Sequence, residues 1–104
     1  MISKKEILSI ANKFKENFQE YKTPEGARGK SFEACVMFLN LAGLDEEQIA
    51  EKIVVGQRSV GGIGPVEDHY LVSLGSYYID PTARQYKPDA PFPMMWERSL
   101  LRKN

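Results

Sequence analysis

Tyr70-Leu71-Val72-Ser73-Leu74 and Tyr77-Tyr78-Ile79, joined by Gly75-Ser76, decide how this chain is read. Both runs are rich in aromatic and β-branched residues, and a two-residue connection beginning with glycine suits a tight antiparallel turn. The spacing predicts a β-hairpin in which Leu74 faces Tyr77, Ser73 faces Tyr78, Val72 faces Ile79 and Leu71 faces Asp80. Side chains alternate along a strand, so His69 shares a face with Leu71 and therefore with Asp80. The diagonal between them is roughly 7–8 Å at the backbone and shorter between side chains, so a carboxylate there is within reach of an imidazole. Asp68 alternates onto the other face.

Upstream of the hairpin the pattern is helical. Apolar Ile7, Ile10, Ala11, Phe14 and Phe18 recur at helical intervals from Ser3 to about Tyr21, and Ser3 and Glu6 have capping-box spacing. Thr23 to Lys30 contains a proline and two glycines and reads as a loop. Ser31 is then placed to cap a second helix, Phe32 to about Ala42, that ends at Gly43. That helix has almost no polar face, which marks it as buried and central. Asp45 and Gln48 open a third helix through about Val54, with Ile49, Ile53 and Ala50 inward.

Gly56 to Pro65 carries four glycines and a proline and reads as a mobile connection. Its Gly61-Gly62-Ile63-Gly64 run precedes no helix and is no dinucleotide fingerprint. Lys87 to Pro93 is too proline-rich for a helix or central strand and reads as an extended edge. Phe92, Met94, Met95 and Trp96 read as packing residues. The expected fold class is α+β: N-terminal helices with a buried central helix, packed on a small antiparallel sheet, in one domain over residues 1–104.

At 104 residues the chain has room for one core. Lys+Arg and Asp+Glu are balanced at 14 each, so no basic field draws nucleic acid, and no apolar run is long enough to span a bilayer. The N-terminus lacks the apolar stretch of a signal peptide, and a single cysteine fits a reducing, cytoplasmic setting. One Cys and one His cannot fill a zinc site, so neither a metal nor another cofactor is expected.

Thiol catalysis needs a sulfur held as thiolate, a base for its proton and a group orienting the base. Cys35 lies near the start of the central helix, where the helix dipole favours an anion. His69 has the side chain suited to general base work near neutrality. Asp80 shares its face. Taken one at a time, Cys35 reads as a small buried hydrophobe, His69 as a structural histidine and Asp80 as a turn former. Their order and matched faces together favour a nucleophilic site.

The stretches Ser31-Phe32-Glu33-Ala34-Cys35, Asp68-His69-Tyr70-Leu71-Val72 and Tyr78-Ile79-Asp80-Pro81-Thr82 resemble the transglutaminase-like and papain-like cysteine enzyme superfamily over roughly Gly29 to Phe92. The resemblance implies Cys35 as nucleophile, His69 as base and later acid, and Asp80 as orienter. It also implies an acyl-enzyme formed from an amide of a protein or peptide, as in a protease, deamidase or transferase, and includes toxin and effector domains among its members. Papain-type enzymes place an oxyanion-hole glutamine upstream of the cysteine, and Gln19 is the upstream candidate here. Gln85 is the alternative glutamine, and Ser31 completes the candidates for substrate or oxyanion contact. The competing expectation is a catalytically inactive version of that fold, acting as a binding or inhibitor module.

Overall fold

The computed structural model describes residues 2–59 and 66–97. It is a mixed α+β fold of four helices and one four-stranded antiparallel sheet with strand order β1-β2-β3-β4. Helix α1 spans Lys4–Asn17, and the Ser3 hydroxyl accepts from Glu6 N while the Glu6 carboxylate accepts from Ser3 N, closing the expected capping box. It buries Ile7, Ile10, Ala11 and Phe14.

α1 stops short of Tyr21. Its last carbonyls give way to a separate 3-10 turn, Gln19–Lys22, which turns the Tyr21 ring inward to stack on Phe14 at 5.9 Å. The segment read as loop contains one helical turn, α2 (Pro24–Ala27), because Thr23 accepts from Gly26 N and Pro24 supplies a preset φ at the first position. Gly26 is required there: a Cβ at that position would sit 1.7 Å from the Glu20 carbonyl oxygen.

Helix α3, Ser31–Leu41, is the central element, burying Ser31, Ala34, Cys35, Phe38 and Leu39. Lys30, not Ser31, is its N-cap, and no side chain caps this end. The Ser31 hydroxyl is engaged instead by the N–H of Tyr70. Gly43 adopts φ +80° and ends the helix in the left-handed conformation expected of it.

Helix α4, Glu46–Lys52, is opened by the Asp45–Gln48 capping box but ends before Ile53. The chain switches there to β1, Ile53–Ser59, which overturns both the longer helix and the start of the connection at Gly56. Ile53-Val54-Val55 is a β-branched run whose preference for a pleated surface prevails once β2 lies beside it. Residues 60–65, including the glycine run, lie outside the described residues.

β2 spans Val66–Leu74 and β3 spans Tyr77–Asp80. Their register is Val72 opposite Ile79, Ser73 opposite Tyr78 and Leu74 opposite Tyr77, as the spacing predicted. Gly75 has φ +59° and no other turn residue is positive, so the glycine alone carries the left-handed position. β4, Met94–Glu97, makes Met94, Met95 and Trp96 an edge strand rather than packing residues alone; it pairs Trp96 with Tyr78 and Met94 with Asp80. Cys35, Phe38 and Leu39 of α3 share one core with Ile7 and Phe14 of α1 and with Val72, Leu74 and Ile79 of the sheet.

Candidate active site

β2 and β3 bring His69 and Asp80 together. His69 Nε2 lies 2.8 Å from Asp80 Oδ2, and each side chain is 1% exposed. Asp80 is the last residue of β3, and Pro81 bends the chain so that the Thr82 N–H donates to Asp80 Oδ1 at 3.1 Å. This Asx-type turn fixes the carboxylate in its plane and leaves its second oxygen for the imidazole. Buried carboxylates need such partners, because desolvation without them is costly.

The far side of the imidazole meets Gln85, which ends the 3-10 turn Ala83–Gln85. Gln85 Nε2 is 3.4 Å from His69 Nδ1 and donates to Thr82 Oγ1 at 3.1 Å, while Gln85 Oε1 accepts from the Gly29 N–H at 3.3 Å. Gly29 N–H can only donate, so Gln85 must turn its oxygen there and its amide hydrogens toward His69. Nδ1 is then the accepting nitrogen of the ring, and Nε2 carries the proton given to Asp80. The Tyr86 ring stands edge-on to the imidazole at 4.8 Å and walls that side.

Cys35 lies in the core and is fully buried. Burial pushes its thiol well above the usual range, and the Asp80 charge pushes it the same way. Among the described residues the ring nitrogens of His69 are bonded to Asp80 and Gln85, and the Cys35 sulfur is not among their partners. Helix placement alone would favour a thiolate, but the apolar surroundings outweigh it.

Ser31 is bonded to the backbone beside His69 and to neither side chain of the pair. Its Oγ accepts from the N–H of Tyr70, the residue after His69, at 3.3 Å, and it is 7% exposed. Gln19 is exposed on the 3-10 turn after α1 and lines a surface groove of about 670 Å³ with Leu8, Ala11, Arg84 and Phe92. That groove contains neither His69 nor Asp80, so Gln19 is not brought to the pair. Gln85 is.

Thr82 and Gly29 belong to the network and were not singled out as site residues from the sequence. Asp80-Pro81-Thr82 carried a readable signal for the first, since an Asp two residues before a free N–H commonly closes on it. Among the described residues no group of three or more His, Cys, Asp or Glu side chains is gathered as a metal site would require, and no helix is long and apolar enough to cross a membrane. Comparison with protein-family models, curated proteins and solved structures returned no match.

Proposed function

We propose that this chain is an acyl-transfer enzyme of compact transglutaminase-like or papain-like type, cleaving or exchanging an amide of a protein or peptide through an acyl-enzyme. The observation that carries this reading is the buried His69–Asp80 bond, with the accepting ring nitrogen turned to the Gln85 side. Asp80 holds the ring and stabilises the imidazolium that forms. Nδ1, once the Gln85 amide that it accepts from at rest is displaced, takes the proton of the nucleophile as it attacks and returns it to the departing amine. Water or an acceptor amine then releases the acyl group. The resemblance assigns the nucleophile to Cys35 and is compatible with a toxin or effector setting.

The test uses p-nitrophenyl acetate, an activated acyl donor that bypasses substrate recognition. Release of p-nitrophenolate with an acetyl group retained on the protein is expected, and the His69→Ala variant should lose both by roughly 100-fold. An acetylation rate indifferent to His69 in folded protein would sink the reading.

The second reading is a non-catalytic binding module on the same fold. Complete burial of Cys35, with its thiol held protonated, favours it.

A further inference from the structure

We propose that the groove between α1 and the proline-rich stretch before β4 binds an acidic peptide segment that carries apolar side chains among its carboxylates. The inference stands apart from the acyl-transfer reading, since neither His69 nor Asp80 lines this groove. At about 670 Å³ it has the volume of a ligand site. Its apolar lining includes Ala11, Phe92 and Leu8, the last a large hydrophobic residue left 45% exposed.

The charge of the lining sets the sign of the ligand. Lys15, Lys22 and Arg84 stand there against a single carboxylate, Glu16, and none of the three cations is in an ion pair among the described residues. The chain as a whole is neutral, so the surplus is local. The Arg84 guanidinium is already oriented: Nε donates to Ala90 O at 2.8 Å and Nη1 to Lys22 O at 3.2 Å, and the group lies 5.8 Å from the centre of the Phe92 ring. Those bonds go to neutral carbonyls, so the charge stays uncompensated, and Nη2 has no hydrogen-bond partner among the described residues. A fixed cation with spare donors holds a carboxylate without first losing side-chain freedom.

Other lining residues select a peptide over other anions. Asn12 and Gln19 are exposed and make no side-chain hydrogen bond among the described residues. Each amide offers a donor and an acceptor, the pair that a peptide backbone presents. Gln19 thereby takes a part other than the oxyanion contact expected of it. Nucleic acid is matched less well, because Phe92 is the aromatic ring of the lining and is buried and faced by Arg84, leaving no ring open to stack a base. A membrane surface would need more apolar area than one exposed leucine provides. Glu16 is the one repulsive charge, so carboxylates set at intervals fit better than an unbroken acidic run.

The test titrates the nitrogen-15-labelled chain with the peptide Glu-Leu-Asp-Gly-Leu-Glu-Asp and with its neutral counterpart, Gln and Asn replacing Glu and Asp. Saturable amide shifts at Asn12, Lys15, Gln19, Lys22 and Arg84 are expected, with a Kd below about 1 mM for the acidic peptide. Lys15→Glu with Lys22→Glu should weaken binding by roughly tenfold or more, and added salt should weaken it in the unaltered protein. Both lysine side chains are exposed and unbonded, so the pair leaves the fold intact, whereas Arg84 is kept because its two carbonyl bonds are structural. Leu8→Ser should weaken binding several-fold through the lost apolar contact. Equal affinity for the neutral peptide, or for the double lysine variant, overturns the proposal. So does the absence of saturable shifts at about millimolar peptide, or shifts centred elsewhere. Tighter binding of an oligothymidine at the same residues overturns the peptide in favour of nucleic acid.

Discussion

The backbone N–H of Gly29 sets the tautomer of His69, although no hydrogen bond joins the two. Gly29 claims the oxygen of the Gln85 carboxamide, which turns the amide hydrogens toward Nδ1 and leaves the ring proton on Nε2 for Asp80. Nitrogen-15 spectra of the ring should therefore show the Nε2–H form. Gln85→Leu removes the relay and leaves the Gly29 N–H without its side-chain acceptor and Nδ1 without a donor, so a loss of about 1–3 kcal/mol in urea unfolding is expected. A variant as stable as the wild type, with unchanged ring nitrogen shifts, would show that the relay contributes nothing.

Asp80 serves two donors with its two oxygens: Thr82 N–H on Oδ1 and His69 Nε2–H on Oδ2. Asp80→Asn has one oxygen to offer and must aim an NH2 group at one of those donors. Moving the ring proton to Nδ1 does not help, since it would then face the amide hydrogens of Gln85. One hydrogen bond is lost in every arrangement, at about 1–3 kcal/mol because the groups are buried. The same substitution should slow acetyl transfer, as the imidazolium loses its counter-charge. Chemical denaturation and the p-nitrophenyl acetate assay check the two effects separately.

The hairpin and the His69–Asp80 pairing were legible because each depends on local facts: a glycine-led two-residue turn fixes the register, and alternation fixes the face. β1 was not. Ile53-Val54-Val55 continues the apolar spacing of α4 from Ile49, and only β2, in place on the other side of residues 60–65, makes it a strand. β4 is similarly a product of pairing with β3, since its four residues follow a proline-rich stretch with no periodicity of their own. Gln85 was one of two glutamines with nothing local to separate them; its contact with Gly29 is long-range, and Gln19 lacks one. Ser31 and Cys35, four residues apart, lie on one face of α3 by helical spacing, and the contact of Ser31 with the Tyr70 N–H is long-range and left no local signal.

Gly26 and Gly29 separate two reasons for a glycine. Gly29 has φ +72° with no atom within 4 Å of a built Cβ, so Gly29→Ala meets only the left-handed backbone penalty of roughly 1–2 kcal/mol. Gly26 has ordinary backbone angles, but a Cβ there would overlap the Glu20 carbonyl oxygen at 1.7 Å. Backbone on backbone cannot yield by a rotamer change. Gly26→Ala should accordingly lower the thermal midpoint by more than Gly29→Ala does. The reverse order would mean that α2 can separate from the preceding 3-10 turn at little cost.

Cys35 makes alkaline stability a measure of its burial. Its thiol is raised in the folded protein from an ordinary value of 9.0, with burial the leading cause and Asp80 the second. The folded state thus holds the thiol proton where the unfolded chain releases it. The associated stability is complete below about pH 9 and declines as pH rises toward the elevated folded value. By pH 10 the unfolded chain gains about 1 kcal/mol from ionisation, a loss that Cys35→Ala should not share. Tyr21 is also raised, by burial first and its bond to Glu33 second, but its ordinary value of 10.0 places the main part of its loss above this window. Urea midpoints at pH 8, 9 and 10 for wild type and Cys35→Ala therefore isolate the thiol. Parallel declines in the two proteins would mean that Cys35 ionises in the folded state, and with that the main electrostatic objection to a Cys35 nucleophile would fall.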